Sequence, residues 1–270
     1  LGQVVGKAAM ERCIEKAKAV GCATVTVRNS NHFGIAGYYA MLALAHDMIG
    51  ITTSNSRALA VPTYGRTVVV GTNPIAVAVP CGAERPFVLD MATTTAPIGK
   101  VEVAQRQGRR LPLGWAVDGT GKPTDDPEKV LNGGGLLPLG GMAETAGYKG
   151  YGLSVLFDIL SGVLAGSAIS AQIDRPQPDG QPRPSNVGHF FMALRVDAFR
   201  PLAEFKRDMD ALIRALRESP KAEGESRIYV AGEKEWELED GYRRDGIPLD
   251  DRVVATLRQT GQAVGVEYDL

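Results

Sequence analysis

Histidine and cysteine, the usual raw material of metal and nucleophile sites, are scarce in this sequence, at three each in 270 residues. Cys13, Cys22 and Cys81 have no C-x-x-C spacing, and their odd count argues against a disulfide framework or a zinc knuckle. Such sparse use suits a reducing compartment. His32, His46 and His189 show neither H-E-x-x-H nor any other compact ligand spacing. No G-x-G-x-x-G occurs, so an ordinary Rossmann fingerprint is missing. P-loop chemistry is excluded by the lack of G-x-x-x-x-G-K-[ST], and the lack of G-x-S-x-G speaks against an α/β-hydrolase. With 30 basic and 31 acidic residues the net charge is −1, and no basic run is interleaved with aromatics, so nothing points to nucleic acid or an acidic membrane. The longest apolar stretch, 153–168, is broken by Asp158 and Ser161 and is short for a membrane span. The first residues lack a basic segment followed by an apolar one, which makes a cytoplasmic location the expectation.

What is present is a mixed pattern. The stretch 27–34, Val-Arg-Asn-Ser-Asn-His-Phe-Gly, follows an alternating run at 23–27 and precedes a small-residue helical pattern at 35–48. The polar cluster Arg28-Asn29-Ser30-Asn31-His32 therefore sits at a strand-to-helix turn, where side chains on a rigid scaffold stay free to meet a ligand. Spacing alone favours reading His32 as a helix cap or turn filler.

Periodicity predicts a helix over 4–20, ended by Gly21, then a strand ending at Arg28. The helix at 35–48 leads to a strand at 51–54, and strand, turn, helix and strand in this order suit a crossover. Residues 55–74 are irregular and end in Gly-Thr-Asn-Pro, a turn signal. Short strands are expected at 75–80 and 86–89, the second closing on the polar string Asp90–Thr95. A helix follows at 98–107. Residues 111–127 read as a turn-rich surface excursion. Gly147–Gly152 opens an apolar helix at 153–164, suited to a core or a subunit interface. Residues 167–188, with four prolines between Arg175 and Pro184, read as a loop. Beyond it come a strand at 190–196 and an amphipathic helix at 199–218, its face made by Leu202, Phe205, Met209, Leu212, Ile213 and Leu216. Asp197 is a candidate cap for that helix. A short strand is expected at 227–231 and a last helix at 249–264, with Asp250 and Asp251 at its positive end. Glycines at 133–135, 140–141 and before Leu153 read either as flexible connections or as backbone nests for phosphate.

Several stretches, taken together, resemble one family. They are Asn29-Ser30-Asn31-His32-Phe33-Gly34, Thr72-Asn73-Pro74, Leu89-Asp90-Met91-Ala92-Thr93, Gly114-Trp115-Ala116-Val117-Asp118, Leu137-Pro138-Leu139-Gly140-Gly141, Gly147-Tyr148-Lys149-Gly150-Tyr151-Gly152 and Asn186-Val187-Gly188-His189-Phe190-Phe191. Their order is that of the type-2 malate/L-lactate dehydrogenases, a group that also contains sulfolactate, ureidoglycolate and diketogulonate oxidoreductases and cyclic-imine reductases. The likeness spans almost the whole chain.

The resemblance implies an α/β protein with a non-Rossmann NAD(P)-binding fold, a largely antiparallel mixed sheet flanked by helices, acting as a homodimer on a small 2-hydroxy or 2-oxo acid. It implies one unit over 1–270, with a nucleotide-binding core at about 50–196 and helical flanks at 1–49 and 197–270. The family's proton acceptor maps onto His32. Its cofactor-binding positions map onto Ser56, onto Asp90, Met91 and Ala92, and onto the Gly140 region. Oxidising a 2-hydroxy acid sends a hydride to NAD or NADP and a proton to a base. Histidine suits the second task because its ordinary pKa, about 6.5, lets it exchange protons near neutrality. Lys149 reads as a phosphate neutraliser for the cofactor or as structural. Asp90 reads as a cofactor contact or a strand-end turn former, and His46 and His189 as structural, the latter a satisfied core histidine.

The family's N-terminal helical segment, with Ser-His-Gly followed by an arginine and a tyrosine that hold the substrate carboxylate, has no match here; the chain is expected to start just past it. Arg57 stands where some relatives have a small or acidic residue. A second expectation is therefore a non-catalytic relative that binds dinucleotide or dimerises without turnover.

Overall fold

Small residues at helical spacing give the first element its buried face. In the computed structural model, which describes residues 1–174 and 184–267, α1 (Gly2–Val20) buries Gly2, Gly6, Ala9, Met10, Cys13, Ile14 and Ala17. Gly21, at φ +87°, ends it and donates its N–H to Ala17 O. Glycine tolerates that left-handed backbone without a Cβ clash. β1 (Cys22–Ser30) follows, with Thr24, Thr26 and Arg28 exposed and Ala23, Val25 and Val27 packed on the core.

The helix expected over 35–48 is shorter than its pattern. α2 (Ala36–Met41) tightens into a 3-10 turn (Leu42–His46), and Asp47 takes a left-handed conformation at its end. β2 (Met48–Ser54) starts at once, three residues earlier than expected. β3 (Ala58–Ala60), β4 (Val70–Gly71), β5 (Ile75–Val79) and β6 (Phe87–Met91) come next, then α3 (Ile98–Arg106). β7 (Ala116–Val117), α4 (Pro127–Leu131), β8 (Gly135–Leu136) and α5 (Gly147–Asp158) lead into a π-helical turn at Ile159–Val163. β9 (Val187–Arg195) and α6 (Leu202–Glu218) follow.

Two sheets result. The larger has the order β1-β9-β2-β5-β6, antiparallel throughout. β1 and β2 flank β9, so the helical connection between them passes an intervening strand rather than joining neighbours. The smaller has the order β4-β3-β8-β7, with one parallel pair, β3 and β8. This is the mixed α/β, largely antiparallel architecture expected.

α1 and α2 cover one face of the large sheet over a core centred on Met10, Ile14, Tyr39, Met48 and Phe191. Truncating an aromatic residue there to alanine costs about 3–5 kcal/mol. The second core lies under the small sheet and includes Val101, Leu111, Ala116, Val130 and Leu136. That corrects the reading of 111–127 as a surface excursion: turn residues flank a buried strand, and the strand is only two residues long.

Three further expectations are corrected. No strand forms at 227–231, although Ala231 O accepts from Val88 N at 3.2 Å. Asp197 does not cap α6, because Arg195 holds its carboxylate at 2.7 Å and Pro201 occupies the cap position. The apolar face of α6 is rotated from the expected one. Leu212 and Leu216 stay exposed, while Asp210 is buried beside Ile213. The Asp210 carboxylate accepts from Gly82 N, Ala83 N and Glu84 N at 2.8–3.2 Å. Those backbone bonds hold its pKa below the usual carboxylate range.

The chain divides into two units, Leu1–Ala231 and Gly232–Leu270. The second contains α7 (Glu233–Asp245), which periodicity did not reveal, and α8 (Asp251–Val264), where Asp250 accepts from Arg252 N. The proline-bearing part of the expected loop, 175–183, lies outside the described residues. Among the described residues no helix is long and apolar enough to cross a membrane, and no group of three His, Cys, Asp or Glu is placed to hold a metal.

Candidate active site

The turn holding His32 begins as a fault in a strand pairing. Val27 opposes His189 and Ser30 opposes Val187, so three steps on β1 match two on β9. Such a bulge bends the strand and re-aims the residues after it. Asn29, at φ +56°, takes the left-handed conformation, and its N–H donates to Asn186 Oδ1 at 3.0 Å. Asparagine tolerates this backbone better than most residues. The chain then turns outward and leaves the His32 ring exposed.

His32 Nδ1 accepts from Gly34 N at 3.1 Å. The neutral ring therefore carries its proton on Nε2 and presents a donor outward. Protonated, it would also carry hydrogen on Nδ1 and release the Gly34 N–H. Below the turn, Phe33 is stacked between Tyr39, with centroids 4.7 Å apart, and His189, at 4.3 Å. The Tyr39 hydroxyl donates to Phe33 O. α1 closes the other side: a Cβ at Gly2 would collide with the carbonyl oxygens of Asn31 and His32.

His189 is fully buried. Its Nδ1 lies 2.8 Å from Ser54 Oγ and its Nε2 2.8 Å from Ser30 Oγ. Burial pushes its pKa down to about 4, opposed by the Asn31 carbonyl beside the ring and reinforced by His32. It is a satisfied buried histidine, as expected. His46, in contrast, is exposed at the end of its 3-10 turn.

The residues matched to cofactor positions lie along a second chain of contacts. Ser56 Oγ accepts from Thr72 N at 2.9 Å and lies 3.1 Å from Thr72 Oγ1. Thr93 N donates to Thr72 O at 2.9 Å, and Leu139 N donates to Thr93 O at 2.8 Å. The Ser56 loop, the end of β6 with Met91 and Ala92, and the Gly140 loop are thus stitched edge to edge. Met91 and Ala92 are half-buried, and Gly140 is exposed at φ +96°. Lys149 is exposed in the first turn of α5, which starts at Ala146 without a side-chain cap. A Cβ at Gly147 would collide with Gly141 O, so the glycines let this helix start press against the loop. Asp90 is exposed on β6, and its Oδ2 accepts from Gly37 N at 2.6 Å. Its carboxylate thus meets the start of α2, a third role beside the two read from sequence.

A buried amide network supports the Ser56 loop. Asn73 Oδ1 accepts from Ser56 N at 3.0 Å and from Ser170 Oγ at 3.2 Å, and its Nδ2 donates to Ser154 O at 2.9 Å. Asn55 Nδ2 donates to Asp158 Oδ1 at 2.9 Å and to Ala168 O at 2.6 Å, and its Oδ1 accepts from Gly188 N at 2.9 Å. Both asparagines are at most 2% exposed. Spacing gave no sign of Asn55 and Asp158, which are far apart in sequence; Asn73 had a signal only as part of a turn. His189 joins the two regions. It binds Ser54, two residues before Ser56, and Ser30, two residues before His32.

Comparison with known proteins gives this arrangement relatives. A family model described as malate/L-lactate dehydrogenase matches residues 1–258. The chain is 47% identical over 267 residues to the malate dehydrogenase of Pyrococcus abyssi, covering 98% of this chain and 72% of that protein. It is 40% identical over 272 residues to the L-sulfolactate dehydrogenase of Methanocaldococcus jannaschii, covering 100% and 74%. Among solved structures, the malate dehydrogenase from Entamoeba histolytica superimposes with a TM-score of 0.91 at 36% identity, covering 100% of this chain and 76% of that one.

Proposed function

The chain belongs to the malate/L-lactate dehydrogenase family, and on that premise we propose that it is an NAD(P)-dependent oxidoreductase acting on a small 2-hydroxy or 2-oxo acid, with His32 as the acid/base. The observation that carries this reading is the His32 turn itself: an exposed imidazole with one nitrogen outward, on a backbone held from three sides. Relatives named for malate and sulfolactate share the 2-hydroxy acid group, which sets the substrate class.

The residues fit a dinucleotide. An uncapped helix start with an exposed lysine in its first turn suits a diphosphate, through the helix dipole and the cation together. Gly140 and Gly141, both at positive φ, let backbone approach a ligand closely. We assign Ser56, Asp90, Met91, Ala92, Gly140 and Lys149 to holding NAD or NADP. When bound, the cofactor supplies or receives the hydride. His32 handles the proton. In reduction the imidazolium gives its Nε2 proton to the carbonyl oxygen and is left as the Nδ1–H tautomer; the Gly34 N–H bond re-forms only once solvent moves that proton from Nδ1 to Nε2. In oxidation the Nδ1–H tautomer, with the Gly34 N–H released, receives the hydroxyl proton on its bare Nε2.

The same reading includes a homodimer, formed over the exposed apolar residues Leu153, Leu156, Ile159 and Val163 at 39–62% exposure. It places the protein in the cytoplasm, where its three free thiols remain reduced. The test is an activity matrix: NADH and NADPH against 2-oxo acids and a cyclic imine, alongside thermal shift with each cofactor. Cofactor oxidation with at least one substrate is expected. Cofactor binding without any turnover would select the non-catalytic alternative, and neither binding nor turnover would overturn the assignment.

A further inference from the structure

The buried ring beneath the turn has no assigned role, and its contacts are more specific than packing requires. Ser54 Oγ lies 2.9 Å from Asn55 O and 3.1 Å from Gly188 O as well as 2.8 Å from His189 Nδ1. A hydroxyl has one hydrogen, and two carbonyl oxygens at these distances claim it. With that hydrogen on a carbonyl, Nδ1 is the donor to Ser54. In the neutral ring that leaves Nε2 as acceptor for the Ser30 hydroxyl at 2.8 Å, a shorter path than the 3.4 Å contact of Ser30 with Asn31 O, and the Asn31 carbonyl beside the ring favours only the protonated form. The tautomer is thereby set by Ser54 at the end of β2, itself held by Asn55 O and by Gly188 O of β9, and it in turn orients Ser30 at the bulge. The ring plane is parallel to Phe33, the residue after His32, with an interplanar angle of 0°.

We infer that His189 is a positioning residue for the acid/base: its ring, neutral and locked in the Nδ1–H tautomer by Ser54, holds Ser30 by hydrogen bond and Phe33 by stacking, and so sets the backbone on either side of His32. The inference rests on the reading of His32 as the acid/base. It adds that the position of His32 is fixed from β2 and β9 through one side chain. A phenylalanine at 189 would keep a stacking surface and lose both hydrogen bonds. A glutamine would keep one donor and one acceptor and lose the stack.

With only three histidines, ring nitrogens can be followed individually by long-range proton–nitrogen NMR on full-length, histidine-labelled protein. Wild type is expected to show His189 protonated on Nδ1 and bare on Nε2, and His32 the reverse. In His189→Phe the His32 ring and Gly34 amide signals are expected to move, whatever the activity. In turnover assays with a 2-oxo acid and reduced cofactor, His189→Phe is expected to lower kcat about 10–100-fold, the cost of misplacing a reacting group by about 1 Å. KM for the cofactor should stay within about twofold, since the Ser56 side is held by other residues, and the pH profile of kcat should shift. Ser30→Ala should act in the same direction by less, and His189→Gln should recover part of the loss. If His189→Phe does not fold, Ser30→Ala and Ser54→Ala serve the same tests.

Unmoved His32 and Gly34 signals in folded His189→Phe, or kcat and pH profile unchanged there while His32→Ala is inactive, would overturn the inference. So would the opposite His189 tautomer in wild type. An active His32→Ala would instead overturn the acid/base reading, and the NMR result would still decide whether His189 positions the turn.

Discussion

Two neighbouring regions of this molecule are held rigid by different chemistry. The Ser56 loop rests on buried primary amides, Asn55 and Asn73, each satisfied at both ends and neither able to titrate. The His32 turn rests on a stack of rings and on His189, whose neutrality depends on pH. Both solutions keep buried polar groups paired. The difference shows in what disturbs each one. The two amides take no proton themselves, though Asn55 leans on the Asp158 carboxylate, whereas the turn that handles a proton in the proposed reaction is supported by a ring that must not take one.

Replacing His32 should give the largest effect. His32→Ala is expected to lower kcat about 10²–10⁴-fold, the usual worth of a positioned acid/base, while cofactor binding by thermal shift is retained. Asn55→Ala should act on stability instead. It removes the partner of Gly188 N and one of the Asp158 partners, and a loss of about 3 kcal/mol is expected in urea unfolding, independent of pH from 6 to 8. Equal loss of activity at unchanged stability would erase the contrast between the regions.

The third prediction concerns acid. His189 has its folded pKa pushed from 6.5 down to about 4. Between those values the unfolded chain takes up a proton that the folded chain refuses. Stability is therefore fully present above about pH 6.5 and is lost as pH falls toward 4, by about 3 kcal/mol in total. His189→Phe, whatever its stability at neutral pH, should lack this component, so its urea midpoint should depend less on pH in that window. An equal dependence in both proteins would show that other groups cause the acid loss. The smallest effect is expected at Asp90. Asp90→Ala leaves Gly37 N without that acceptor at the start of α2, for a loss of about 1 kcal/mol read in the thermal midpoint.

Much of the large sheet was legible because its strands and α1 obey simple periods. Thr24, Thr26 and Arg28 alternate with Ala23, Val25 and Val27, and the buried face of α1 recurs every three to four residues. The small sheet was not, because β4, β7 and β8 are two residues each and have no period to read. Asp210 misled the reading of α6, since a carboxylate is buried only where backbone N–H groups await it, and the loop at Gly82–Glu84 is over a hundred residues away. At the site, His32 stood out by its polar surroundings and by motif order. Its supports did not. Asn29 with Asn186, and Ser30 with His189, are paired across more than 150 residues, and only the register of β1 on β9 brings them together.

The pH profile of kcat/KM for reduction of a 2-oxo acid, compared between wild type and His32→Ala, bears most directly on the proton chemistry assigned to this turn. Wild type should lose rate as pH rises and the imidazolium donor disappears. The variant should retain a small residual rate without that fall. The same fall in rate in both proteins would mean that another group supplies the proton and that His32 only fills the turn.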